Sequence, residues 1–274
     1  METIISYFSA MPPQHRLLLI AIGILFFWLI ESWQPLQKMA YNKGKHALIN
    51  IFFTFTTIIV NFSLAFLLAK TTLFSTQNNW GLLQLLPAYN FWTTSFVGLL
   101  FMDFIGAFLP HFIQHKIPFL WRFHLVHHSD TWIDATSANR HHPGESVVRF
   151  LFTTLAVVIV GAPIWLLFLY QTLSVLLSQF NHADITISPK IDSILSYIIV
   201  SPNMHKVHHH FEMPYTDTNY GNIFSIWDRV FGTFATLNPS KIIYGIDTYP
   251  DLVTHNSLKN LLKMPFFEQK QKNK

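Results

Sequence analysis

The feature that most constrains this chain is the length of its runs without a charged side chain. Ala47–Ala69 has 23 residues with no Asp, Glu, Lys or Arg, Phe150–Asn181 has 32, and no charge interrupts Thr71–Met102. A hydrocarbon core of ~30 Å takes about 20 helical residues. Backbone amides at that depth find no water, so each run must close its hydrogen bonds within itself as helix. The fold class expected is all-α, a multi-spanning integral membrane helical bundle. Leu17–Ile30 becomes a first span when continued through Glu31, Ser32 and Trp33, with Trp28 and Trp33 as interfacial anchors. Ala47–Ala69 is the second. Asn78, Asn79, Gly81 and Pro87 mark a loop, so the third begins near Tyr89–Trp92. As one straight helix the run Phe150–Asn181 would reach ~48 Å, well beyond the core. Gly161-Ala162-Pro163 breaks it, and a helical hairpin near 147–181 fits, crossing twice or dipping in and returning.

Charged residues are 12% of the chain, about half the usual share, which excludes disorder and argues against an ordinary water-soluble domain. With no Cys there is no disulfide scaffold, thiolate metal site or cysteine nucleophile. The net charge is +4, but the cations sit in short loops between neutral runs, not in a patch that would bind nucleic acid. Met1–Gln14 is not basic and no cleavage pattern follows it, so no signal peptide is expected. No dinucleotide glycine fingerprint, P-loop or repeat occurs. Lys38, Lys43 and Lys45 lie in the first loop, and Lys116, Arg122, Arg140 and Arg149 follow the third span, whereas the second loop has only Lys70 at its edge. The positive-inside rule puts the first loop, the segment after span three and the C-terminal tail in the cytoplasm. Asp103 sits at membrane depth, where a carboxylate is a functional-site candidate. It supports either a metal site or a helix-packing hydrogen bond.

Twelve of the 15 histidines lie between positions 111 and 210. His111 and His115 form H-x-x-x-H, and residues four apart share a helix face. His124, His127 and His128 form H-x-x-H-H, which gathers three donors on one side of a little over one turn. His205, His208 and His209 repeat that spacing. His142 and His182 stand apart, at the two ends of the 150–181 run. Crowded neutral imidazoles have little structural use other than metal coordination. A catalytic zinc takes three protein ligands plus water, so eight clustered histidines point to two metals. Imidazole alone does not choose between iron and zinc.

These residues resemble the fatty acid hydroxylase superfamily, which includes the sterol desaturases and alkylglycerol monooxygenase. The resemblance rests on His111 and His115, on Trp121 through Ser129, on Arg140-His141-His142-Pro143-Gly144-Glu145 and on Asn181-His182. It continues with Ser201 through His209, Asp217 through Asn222 and Trp227 through Thr233, over roughly 95–235. It implies a membrane-bound, non-haem di-iron oxygenase that hydroxylates or desaturates a C–H position of a lipid of sterol, fatty acyl or alkylglycerol type. The ligand set it carries over is His111, His115, His124, His127, His128, His142, His182, His205, His208 and His209. His141 and His210 are then spectators, and Asn219 and Asp228 are expected to fix imidazole tautomers. The cofactors implied are two iron ions, with zinc as a substitute in purified protein. The partners are a membrane lipid, O2 and a separate cytoplasmic or membrane electron donor, since 274 residues leave no room for a haem domain.

The expected organisation is N-terminal spans and loops at 1–90, a fatty acid hydroxylase-type catalytic domain at 91–240, and a cytoplasmic C-terminal tail at 241–274. The His-rich di-metal cap faces the cytoplasm, from a bacterial inner membrane or an endoplasmic reticulum. Two other readings remain open on the residues. A membrane zinc-dependent hydrolase acting on a lipid ester or amide needs only three or four ligands. A transporter would place its ionisable groups near mid-membrane and show repeated halves.

Overall fold

The chain opens with α1 (Glu2–Ser9) and α2 (Pro13–Trp33), followed by α3 (Lys43–Gln77). Next come α4 (Phe91–Asp103), one π-helical turn (Phe104–Phe108), α5 (Leu109–Lys116) and α6 (Pro118–His128). The hairpin is α7 (Pro143–Val160) and α8 (Ile164–His182). Short helices α9 (Pro189–Leu195), α10 (Pro202–His208), α11 (Ile226–Val230) and α12 (Leu258–Lys263) complete the order. The computed structural model describes residues 1–37, 40–86, 90–246 and 255–267. Lys38, Pro87, Tyr89 and the charged end from Glu268 lie outside them. No strand is present among the described residues, only three isolated bridges.

Local sequence explains the helix boundaries. Pro13, Pro118, Pro143, Pro189 and Pro202 each open a helix, where their missing N–H costs nothing and their fixed φ is already helical. Asn42 and Asn90 cap α3 and α4 by accepting backbone N–H groups of the first turn. Pro110 cannot continue the α ladder. The helix answers with the π turn, in which the Leu109 N–H donates to the Phe104 carbonyl five residues back. The α7–α8 turn uses Gly161 at φ 70°, where a Cβ would collide with the Trp80 carbonyl oxygen.

Five helical stretches are long and apolar enough to cross a membrane: Pro13–Trp33, Lys43–Leu85, Phe91–Lys116, Pro143–Val160 and Ile164–His182. At 35 residues and about 52 Å, α3 outruns the expected span of 23, because it begins at Lys43 and stays helical through Lys70 to Gln77. Leu18, Leu25, Phe26 and Leu29 on α2, with Phe55, Phe62 and Phe66 on α3, point outward. Water does not tolerate such an apolar belt, whereas acyl chains do. The interior core lies between α4, α7 and α8, built on Met102, Ile105, Phe150, Val157, Leu166 and Tyr170.

Alternation of the five stretches brings the C-terminal ends of α2, α5 and α8 and the N-terminal ends of α3 and α7 to one side. Contacts confirm it. Glu31 at the end of α2 accepts from Ala135 and from Asp184 beyond α8, and pairs with Lys43 at the start of α3. Helices α6 and α10 cap that side.

Candidate metal centre

Ile117 precedes Pro118 and is held extended, so α5 ends there and the chain turns back as α6. His111 and His115 of α5 then face His124 and His128 of α6. His208 of α10 joins them, and one ligand atom from each of the five lies within 4.8 Å of all the others. His127, His182, His205 and His209 form a second group by the same measure.

Each H-x-x-H-H motif is divided between the groups. At 100° per residue, i and i+4 are about 40° apart, while i+3 and i+4 are about 100° apart. His124 and His128 therefore reach one group and His127 the other. On α10 the assignment is reversed: His208 serves the first group, and His205 and His209 serve the second. The three donors that each motif gathers on one side of its helix are thus shared between two adjacent groups, in keeping with the expected pair of metals.

Acceptor-only partners set the tautomers. His111 Nδ1 donates to the Tyr220 carbonyl at 2.8 Å and His208 Nδ1 to the Thr218 carbonyl at 2.6 Å. His124 Nδ1 donates to Glu145 Oε1 at 2.8 Å and His115 Nδ1 to Asp217 Oδ1 at 3.3 Å. His182 Nδ1 donates to the Ser178 carbonyl at 2.8 Å, with the Asn181 side-chain oxygen at 2.7 Å. A neutral imidazole with its proton on Nδ1 leaves a lone pair on Nε2, and these are the atoms turned inward. Nε2 of His111, His115 and His208 is buried without a hydrogen-bond partner. In the second group Nε2 of His182, His205 and His209 lie 3.1–3.3 Å from one another, and His127 Nε2 is 3.2 Å from that of His182. Protons cannot bridge every edge of that triangle. Such spacings are those of nitrogens sharing one cation at ~2.0–2.1 Å.

Burial, reinforced by the neighbouring imidazoles, holds His127, His128, His205 and His209 well below the ordinary histidine range. Burial and then His124 bring His208 down to about 3. All five are neutral at pH 7, which is the metal-binding form. The donor set fits two metal ions.

The remaining expected residues divide. His142 stands outside both groups. Its Nδ1 accepts the Gly144 N–H at 3.0 Å, capping α7, and its Nε2 donates to the Leu262 carbonyl at 3.2 Å, so no lone pair is left for a metal. His141, expected to be a spectator, belongs to neither group; its ring lies tilted 5.0 Å from that of His127, and it lines the cavity. His210 lies outside both groups and accepts the Ile243 N–H. Neither Asn219 nor Asp228 touches an imidazole. Asn219 bonds the Met204 and Ala235 backbones, and Asp228 accepts the Tyr220 and Gly221 N–H groups at 2.8 Å. Asp103 grips the same loop from below, accepting from Ile223 and Phe224 at 3.1 Å each. The two carboxylates thus hold the loop whose Tyr220 carbonyl orients His111. Sequence reasoning gave no role to Glu145 and Asp217, although both lie in the motifs it singled out; backbone carbonyls leave no signal in a sequence at all.

A cavity at these groups is lined by His111, His124, His127, His182 and His205, five of the nine grouped histidines. Ala107, Ser178 and Arg149 extend its lining.

The sequence model of the fatty acid hydroxylase family matches residues 95–233, which include every member of both histidine groups. Among curated proteins, the chain is 28% identical to alkylglycerol monooxygenase of Danio rerio over 84% of this chain and 49% of that protein. It is 29% identical to alkylglycerol monooxygenase of Caenorhabditis elegans over 69% of this chain and 35% of the relative. Ornithine lipid hydroxylase OlsE of Rhizobium tropici is 26% identical over 53% of this chain and 42% of its own length. The chain thus spans about a third to a half of the length of the relatives it matches. No solved structure matches it significantly.

Proposed function

Because the chain belongs to the fatty acid hydroxylase family, we propose that it is a membrane-bound, non-haem di-iron oxygenase that hydroxylates or desaturates a C–H position of a lipid. It uses O2 and electrons from a separate donor. One iron is held by His111, His115, His124, His128 and His208, and the other by His127, His182, His205 and His209. Two bound irons supply the reductive activation of O2 that attack on an unactivated C–H bond requires. The observation that carries this reading is the pair of adjacent groups, nine buried imidazoles in all. A catalytic zinc would use three of them and leave six without a purpose.

The protein's own contribution is orientation. Tyr220, Thr218, Asp217, Glu145 and Ser178 keep protons on Nδ1 and lone pairs on Nε2. Asp103 and Asp228 hold the 220–224 loop, and burial keeps water from the centre. The histidine side is the cytoplasmic side in this proposal. It carries Lys43, Lys45, Lys116 and Arg122, against Arg16 and Lys70 toward the other side.

Elemental analysis of detergent-purified protein without a histidine tag should find about two iron atoms per chain. Lipid products formed under labelled O2 should carry the label if the outcome is hydroxylation, and a new double bond if it is desaturation. One zinc per chain with hydrolysis of a lipid ester or amide would overturn the oxygenase reading.

A further inference from the structure

Three helices each place one cavity-lining residue a single turn from the histidine layer. Ala107 is four residues before His111, Ser178 is four before His182, and Arg149 is four after Glu145 on a helix running the opposite way. All three displacements run along the helices away from the histidine layer toward the middle of the apolar stretches, by about 6 Å. Two of these residues are small and leave space. The third is a cation. The Arg149 side chain is 27% exposed, and its nearest carboxylate oxygen, Glu145 Oε1, is 3.9 Å away. That is too far for a hydrogen bond, and this oxygen already accepts from His124 at 2.8 Å. A guanidinium offers five N–H donors in a planar fork. Partly open to water and donating no hydrogen bond to another described residue, the Arg149 guanidinium keeps these donors free for an occupant of the cavity it lines.

We infer that Arg149 is the headgroup-binding residue of the substrate site and takes an anionic oxygen group, carboxylate or phosphate, on the lipid that is oxidised. This rests on the lipid-oxygenase reading and narrows it to an anionic lipid. The guanidinium fork matches either oxyanion in a bidentate way, which a neutral hydroxyl or ester cannot match. Arg149 and the imidazoles share one cavity, so the oxidised carbon lies within a few bonds of the anionic group. The terminal part of the hydrocarbon chain is not the site of attack.

The test is equilibrium binding of radiolabelled lipids to the full chain in nanodiscs of neutral phosphatidylcholine. Oleate is compared with methyl oleate, and an alkylglycerol phosphate with the same alkylglycerol; inorganic phosphate alone serves as competitor. The wild type should prefer at least one anionic member of these pairs by about tenfold to a hundredfold, the worth of charge-assisted hydrogen bonds. Arg149→Gln should bring that preference to within about twofold while keeping the wild-type metal content. Arg149→Lys should restore part of it, and serves as the folded control if Arg149→Gln is unstable. Inorganic phosphate should not displace the lipid, since it lacks the hydrocarbon. Equal binding of charged and neutral partners by the wild type, an undiminished preference in Arg149→Gln, or displacement by phosphate alone would each overturn the inference. If none of the four lipids binds the wild type, the lipid-oxygenase reading fails with it.

Discussion

Replacing Glu145 tests whether the hydrogen bonds behind the imidazoles hold the metal centre in shape. Glu145 is fully buried, and its Oε1 accepts the His124 Nδ1–H at 2.8 Å. Glu145→Ala leaves that donor buried without a partner, at a cost of about 1–3 kcal/mol. At 1.4 kcal/mol per tenfold, affinity at the five-histidine group should fall by about 5- to 150-fold. That range brackets the 10–100-fold usual for loss of a partner behind a metal ligand. Glu145→Gln keeps an oxygen facing Nδ1 but loses its charge, and a charge-assisted bond is about twice as strong as a neutral one. Its loss should be smaller, about three- to tenfold. The four-histidine group makes no hydrogen bond to Glu145, so one metal of the two should leave first. The assay equilibrates each variant with graded chelator and reads metal per chain by mass spectrometry, with a melting curve to show that the protein is folded. A folded Glu145→Ala protein that keeps both metals at the wild-type chelator midpoint would refute the reasoning.

His128→Ala and His208→Ala each remove a nitrogen from the five-histidine group, so iron should drop toward one atom per chain and turnover should be lost. Full metal content and turnover in both would remove them from the ligand set. His142→Ala should leave metal content unchanged but cost about 1 kcal/mol as a lost cap, with some further loss from the freed Leu262 carbonyl. Loss of metal instead would return His142 to the centre. Acid should destabilise the metal-stripped protein. Unfolded histidines protonate near pH 6.5, whereas burial keeps folded His208 neutral down to about 3. The unfolded chain then binds more protons in that window, so stability is full above about pH 6.5 and falls as pH drops through it. Thermal melts at pH 7.5, 6 and 5 after chelation should show a falling midpoint, and a flat one would contradict the buried, uncharged assignment.

Much of the architecture can be read without coordinates. A run of 32 uncharged residues leaves the backbone little choice but helix in a bilayer, and Gly161-Ala162-Pro163 can only break it. Histidine spacing is equally local: an i, i+4 pair shares a face in any helix. What escapes is what lies between elements. The same 100° step that makes H-x-x-H-H a cluster also splits it, but only the docking of α6 against α5, α8 and α10 reveals two groups. His141 and His142 are neighbours of one chemical type. One lines the cavity and the other caps α7, because α7 begins at Pro143 and its first N–H groups need an acceptor. The carbonyls of Tyr220 and Thr218 that orient His111 and His208 belong to every residue alike, so no pattern marks them. Spans, pairing faces and donor types follow from periodicity along one chain. Which lone pair meets which, and where Arg149 points, depend on how distant segments pack, a relation that residue order does not record.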